Sequence, residues 1–422
     1  MKNAIFAIAL LLSAAPTLAT DGYFSHGYGM QAKGRGGVST AYHDNAFGGA
    51  NNPASMAFVG NRLDLGVDIF SPQRSASRSG FGPGLDGSVQ SDSTAFAIPE
   101  FAYNHASSDR LALGVTVYGN GGMNTNYAGG QQNCGGGPAN LLCGVGSLGV
   151  DLSQLIVAPN LAVKFTANQA IGFAPLLAYQ RFKANGLQAF AGTPGLSANP
   201  GAVTNNGYDS STGAGLRIGY FAELSPAFSV GLAYATRIKM GEFDKYAGLF
   251  AERGGFDIPE NYNLGFKWIA APGLTIGADY QKINYGKVNS VGDQSLVPAQ
   301  LGSVHGPGFG WKNISAIKIG VDYAPNEHWA VRAGYNHCDN PITPANVTFN
   351  ILAPGVVQSH VTLGATRHLS SHSELTFAYM HAFNGSVSGP SILPVFSGGQ
   401  PFGVERIQMH QNSLGLSWGR HY

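Results

Sequence analysis

From Arg62 to the C-terminus the chain is organised by a period of two. In "RLDLGVDIF", Leu63, Leu65, Val67 and Ile69 alternate with Asp64, Gly66 and Asp68, which places the apolar side chains on one face of a strand. "LALGVTVYG", "GLRIGYFAEL", "VGLAYATRIKM", "AIKIGVDYA" and "HWAVRAGYN" repeat the pattern. In "VGLAYATRIKM" it sets Val230, Leu232, Tyr234 and Ile238 against Arg237 and Lys239. Fourteen such segments are centred near residues 66, 99, 115, 160, 176, 218, 234, 264, 280, 318, 333, 363, 379 and 415. Their connections alternate between short turns ("SSDR", "SPA", "APG", "PNE", "LSSH") and long loops beginning near Ser71, Asn120, Asn185, Gly241, Lys287, Asn340 and Gly385. An even strand number with short turns at one end and long loops at the other predicts an all-β fold, a 14-stranded antiparallel transmembrane β-barrel over residues 61–422.

A soluble sandwich or propeller would bury the apolar face and show water a polar face rich in Lys and Glu. Here that second face is mostly Gly, Ala, Thr and Asn. Its charges have both signs (Asp64, Asp68, Lys164, Arg217, Glu223, Arg237, Lys239, Lys318, Asp322, Arg332), as suits a crowded lumen. The chain ends on an alternating strand, "SLGLSWGRHY", with terminal Tyr422, the form of C-terminus that outer-membrane barrels present to the barrel assembly machinery. Charged residues are 11% of the chain against about 25% in soluble domains, so much of the surface is expected to face lipid. With 24 basic and 23 acidic residues and no run of like charge, nucleic acid is not an expected partner.

The first 60 residues follow another logic. Lys2, the apolar run Ala4 to Leu12 and Thr17-Leu18-Ala19 read as a signal peptide over residues 1–19, too short to span a bilayer. "FGGANNPASMAFVG", Phe47 to Gly60, has three glycines, two adjacent asparagines and a proline directly before the first strand. It is read as the end of a plug, or hatch, over residues 20–60 that folds inside the lumen. Asn52, Pro53 and Ala54 form its turn, since Pro53 lacks an N–H to continue a ladder. Of three cysteines, Cys134 and Cys143 lie in "NCGGGPANLLC" and are expected to bridge in an oxidising compartment.

Catalytic and cofactor signals are weak. "GVGSLG" (Gly144 to Gly149) lies in a loop with no preceding buried strand, and His368 and His372 of "HLSSH" fall in a short turn without a third ligand. No G-x-S-x-G elbow is present. We therefore expect no enzyme activity, no cofactor and no metal. The long loops are more informative: Leu141, Leu142, Phe349, Ile351, Leu352 and Pro354 put apolar residues where an ordinary porin displays charge, and they are candidates for capture of a hydrophobic ligand.

Asn52-Pro53-Ala54, "YGNGGMNTNY" (Tyr118 to Tyr127), "GVDLSQL" (Gly149 to Leu155), "GFGWKNI" (Gly308 to Ile314) and "RAGYNHCDNPI" leading to "FNILAP" together give the chain a resemblance to the FadL-type outer-membrane transporters of long-chain fatty acids and aromatic hydrocarbons. The resemblance implies a monomeric barrel in the bacterial outer membrane, plugged by the hatch. Hydrophobic substrate would be caught by the loops, held in the lumen and released laterally into outer-membrane lipid beside a kinked third strand, without coupled energy. On this chain Gly119, Gly121 and Gly122 are the candidates for that bend, and Arg237 and Lys239 are candidate luminal anchors for an anion. A porin for small polar solutes, with an open lumen, is the competing expectation.

Overall fold

A computed structural model of the chain describes residues 21–422; the signal peptide expected over residues 1–19 lies outside the described residues. Fourteen long strands form the wall: β1 Arg62–Ser79, β2 Phe96–Ala106, β3 Leu111–Asn124, β4 Gly149–Thr166, β5 Gln169–Asn185, β6 Asp209–Ser225, β7 Phe228–Ala235, β8 Asn261–Ala271, β9 Leu274–Ile283, β10 Ile314–Asn326, β11 Trp329–Cys338, β12 Ser359–Ser370, β13 Ser373–Ser391 and β14 Phe402–His421. Each pairs antiparallel with the next. β1 pairs with β14 from Arg62↔His421 to Ser79↔Val404. The sheet is thus a closed barrel, which removes the exposed edges of an open sheet.

The wall is inside-out relative to a soluble protein. Leu65, Ile69, Leu232, Leu264, Ile317, Leu363 and Leu414 are exposed on its outside, whereas Asp64, Asp68, Arg62 and Lys318 are buried within. Exposed Trp268, Tyr323 and Trp329 lie toward the short turns, and exposed Tyr262, Tyr280 and Tyr335 toward the long loops. Two aromatic girdles flanking an aliphatic band match a bilayer's two interfaces.

Several strands outrun their hydrophobic pattern. β1 continues eight residues past Ser71 to Ser79 and β13 six past Gly385 to Ser391. Outward positions there are Ser71, Gln73, Ser75 and Ser77, because the wall rises beyond the lipid and meets water on its outer face.

The segment before β1 packs inside the barrel, and nearly every residue from Asp21 to Pro53 is buried. Its short helix α1 (Met30–Gly34) contacts β11 to β14. Polar contacts fasten it to the wall. Lys33 Nζ lies 2.9 Å from Asp68 and 3.5 Å from Glu100, Arg35 3.2 Å from Asp322, and Lys318 3.0 Å from Asp21. Asp279 accepts the Ser39 and Thr40 N–H groups at 2.8 and 3.0 Å. Asn52 caps the 3₁₀ turn Pro53–Phe58 by accepting from the Ala54 N–H, with Pro53 at its first position. Its side-chain amide donates to the carbonyls of Thr40 and of Tyr220 on β6, both at 2.9 Å. The irregular composition of Phe47 to Gly60 thus produces a tight turn bound to the wall through Asn52 and through its carbonyls, which accept from Arg217 and Asn104.

Candidate functional site: a wall opening beneath two cavities

The ladder between β2 and β3 runs from Ala106↔Ala112 to Phe101↔Val117 and stops there. Beyond it β4 is the one wall strand among the described residues that still pairs with β3, as far as Asn124↔Asp151. Its register with β4 slips by one residue at Asn120, between Gly119↔Leu155 and Gly121↔Gln154, the signature of a β-bulge, which bends a strand. Every residue from Tyr118 to Thr125 is buried: the strand has turned inward. Across from it Phe96 to Glu100 of β2 pair with β1 only, and this edge carries Pro99, which has no N–H to offer a neighbour. Past the gap the wall is rejoined by the Ser91↔Tyr127 bridge and the Asp92 N–H bond to Asn126 O at 2.8 Å. The barrel therefore has a framed opening in its side.

Inside the opening the N-terminal segment takes the place of the missing strand. Phe24 bridges Gly121, the Gly122 N–H donates to Tyr23 O at 3.3 Å, and the Ser25 N–H donates to Asn120 O at 3.4 Å. A Cβ on Gly121 would overlap the Tyr23 carbonyl oxygen, so this approach requires glycine. The Tyr23 ring packs at 4.9 Å from Tyr285 and 5.9 Å from Trp311. Tyr285 donates to Asp21 O at 2.6 Å, and burial pushes its phenol well above the ordinary range, so it stays a donor.

Two cavities lie on the interior side. The upper sits under the long loops and is lined by Leu142, Phe182, Phe190, Phe250, Phe309, Phe349 and Leu352, among others. The lower is lined by Gly122, Met123 and Asn124 of the bent strand and Tyr23 of the N-terminal segment, together with Arg74, Trp311, Pro354 and Met409. The segment Phe349 to Pro354 separates them: Phe349 and Leu352 face the upper cavity, Ala353 and Pro354 the lower. It is tied to the strand that bends, since Thr125 Oγ1 donates to Leu352 O at 2.9 Å and the Tyr127 hydroxyl to Ile351 O at 3.0 Å. Trp311 Nε1 donates to Asn350 Oδ1 at 2.6 Å, fixing the same segment from the other side.

Over residues 26–389 the chain matches the sequence profile of a family described as Outer membrane protein transport protein (OMPP1/FadL/TodX). It belongs to that family. As an OMPP1/FadL/TodX member it is a bacterial outer-membrane transport protein rather than an enzyme. Its fold is similar to the P. putida toluene transporter TodX, at 17% identity over 94% of this chain and 99% of that one, with a TM-score of 0.68. It is similar too to a Pseudomonas aeruginosa FadL homologue (16% identity, 94% and 99%, TM-score 0.69) and to the Ralstonia pickettii toluene transporter TbuX (16%, 94% and 99%, 0.64). No curated protein sequence matches the chain.

In this OMPP1/FadL/TodX barrel the residues singled out from sequence are distributed as follows. Gly119, Gly121 and Gly122 all lie in the bend. Leu142, Phe349 and Leu352 line the upper cavity and Pro354 the lower, while Leu141 and Ile351 are buried beside them. Cys134 and Cys143 are bridged, with Cα atoms 5.6 Å apart. Arg237 and Lys239 are not on the luminal wall. β7 ends at Ala235, and Lys239 resumes pairing opposite Ala214, a position sharing the outward face with exposed Ile218. Ile238, expected to face lipid, is buried. An irregular residue or two at Thr236 and Arg237 flips the alternation, because a one-residue slip moves every later side chain to the other face. Arg237 pairs with Asp257 at 2.7 Å, and with Lys239, Glu242 and Glu252 it lines an open polar recess in the long-loop region. The alternation alone did not distinguish Arg74 from its neighbours. Phe309 and Trp311, by contrast, stand within the "GFGWKNI" motif.

Proposed function

We propose that this protein is a passive outer-membrane channel for hydrophobic compounds, long-chain fatty acids or aromatic hydrocarbons. The residues of the upper cavity capture the molecule, the lower cavity receives it, and it leaves sideways through the β2–β3 opening into lipid. Residues 20–60 act as the hatch, with Asn52, Pro53 and Ala54 as its anchor on the wall. The observation that carries this reading is the interrupted ladder beside the inward bend of β3, which joins an apolar interior to a lipid-facing exit. Burial is worth about 0.8 kcal/mol per CH₂, so an apolar path spares such a molecule transfer into water. The names of similar structures, toluene transporters and a FadL homologue, agree with this substrate class. A lumen filled by the N-terminal segment disfavours the polar-solute porin.

Deleting Asn120, the extra residue of the bulge, tests the route. In cells lacking other uptake systems for these compounds, entry of radiolabelled toluene and dodecanoate is expected to fall at least tenfold while the variant still assembles. Undiminished uptake by a folded variant refutes lateral exit, and sugar-driven liposome swelling at porin rates by the native protein refutes the channel reading in favour of a porin.

A further inference from the structure

Most buried cations inside this barrel have a carboxylate partner: Lys33 with Asp68 and Glu100, Arg35 with Asp44 and Asp322, Arg62 with Asp64 and Glu374, Arg78 with Glu405, Lys318 with Asp21, and Arg332 with Asp322. Arg74 on β1 is buried yet forms no ion pair with any described residue. One guanidinium nitrogen donates to Ser93 O at 3.0 Å, and Nε has no partner. Arg217 also lacks a carboxylate, but it donates to Asn51 O and faces a polar cavity lined by Asn261, Asn263, Asp279 and Gln281. Arg74 instead faces the lower cavity, among Tyr23, Met123, Trp311, Pro354 and Met409. A guanidinium remains charged in such surroundings, and a buried charge without a counter-ion is strongly unfavourable.

We infer that Arg74 is the specificity-determining residue of the lower cavity, where it receives the carboxylate of a hydrophobic monocarboxylic acid. This rests on the channel reading above and deepens it by naming the head group. The height of Arg74 supports the inference. The opening is flanked by Phe96 to Glu100, which pair with Phe70 to Gly66, the level of lipid-exposed Ile69 and Val67. Arg74 lies four residues further toward the long loops, where outward neighbours are Gln73 and Ser75. Its donation to Ser93 O ties it to the segment that frames the opening. An acid held by its carboxylate at Arg74 therefore points its tail down toward the opening and into the acyl layer, and leaves tail first. A neutral arene gains nothing from this residue.

The test uses the full-length protein in a maltoside detergent and equilibrium dialysis with two probes of equal chain length, dodecanoate and dodecanol. Replacing Arg74 by Gln is expected to weaken dodecanoate binding at least tenfold, the scale of a charge-assisted hydrogen bond, and to change dodecanol binding by less than threefold. Arg74→Lys, which keeps the charge, is expected to retain most of the dodecanoate affinity. Equal losses for both probes would mean that Arg74 only supports the fold, and unchanged dodecanoate binding would remove it as the anion site; either overturns the inference while leaving the channel reading intact. A native protein that binds neither probe overturns the capture step, and this inference with it.

Discussion

Lys33→Met removes the cation that sits between β1 and β2 beneath the N-terminal segment. Lys33 Nζ is 2.9 Å from Asp68 and 3.5 Å from Glu100, and all three side chains are buried. The substitution preserves the stem's bulk but leaves two carboxylates facing an apolar group. Breaking a buried pair from one side costs about 3–5 kcal/mol. The barrel strands are held by their own ladders, so the penalty falls on the docking of α1 rather than on the wall. The amides of Arg35 and Gly37, both bonded to Ala32 O at 3.1 and 2.8 Å, report that docking. Their hydrogen-exchange protection relative to the native protein is expected to drop by several hundredfold at pH 7, with β14 amides unchanged. Native-like protection, or an equal loss in the β14 amides, would refute the assignment of Lys33 as the electrostatic anchor.

Two further outcomes follow from the same geometry. Gly121→Ala forces Tyr23 away from β3, breaking two backbone hydrogen bonds worth about 1–2 kcal/mol together; the Ser25 amide is expected to exchange about tenfold faster, and an unchanged rate in a folded barrel would sink the close-approach argument. At the rim, Glu252 accepts the His305 N–H at 3.0 Å and Asn289 Nδ2 at 2.7 Å, and these donors hold its carboxyl below the usual glutamate range. A lowered folded value means the link is intact above the unfolded value of about 4.3 and is lost as pH falls below it. Glu252→Ala should therefore speed exchange of the His305 amide at neutral pH, with the difference from the native protein vanishing in more acidic solution; a ratio independent of pH would disprove the linkage.

Much of this architecture was legible in the residues. Alternation with period two gave all fourteen strands, because lipid outside and a polar lumen inside impose opposite demands on successive side chains. The breakers in Phe47 to Gly60 announced a segment unable to join the sheet. Strand ends were less legible: above the bilayer the outer face meets water, so Ser71 to Ser79 lose their hydrophobic signature while remaining in the ladder. Arg237 and Lys239 were misplaced because the irregularity after Ala235 has no marker in "ATRIK", and everything beyond such a slip changes face. Gly119, Gly121 and Gly122 flank the bulge at Asn120, yet that the ladder to β2 ends at Val117 depends on a partner strand distant in sequence. Arg74 is the clearest case. Within "SPQRSAS" it is one polar residue among several, and only the folded barrel reveals that no carboxylate among the described residues reaches it and that an apolar cavity does. Sequence determined which face each regular residue takes, because that is a local matter of solvent. Tertiary structure decided where the wall opens and that Arg74 meets an apolar cavity without a carboxylate among the described residues, because both depend on which distant residues the fold brings there.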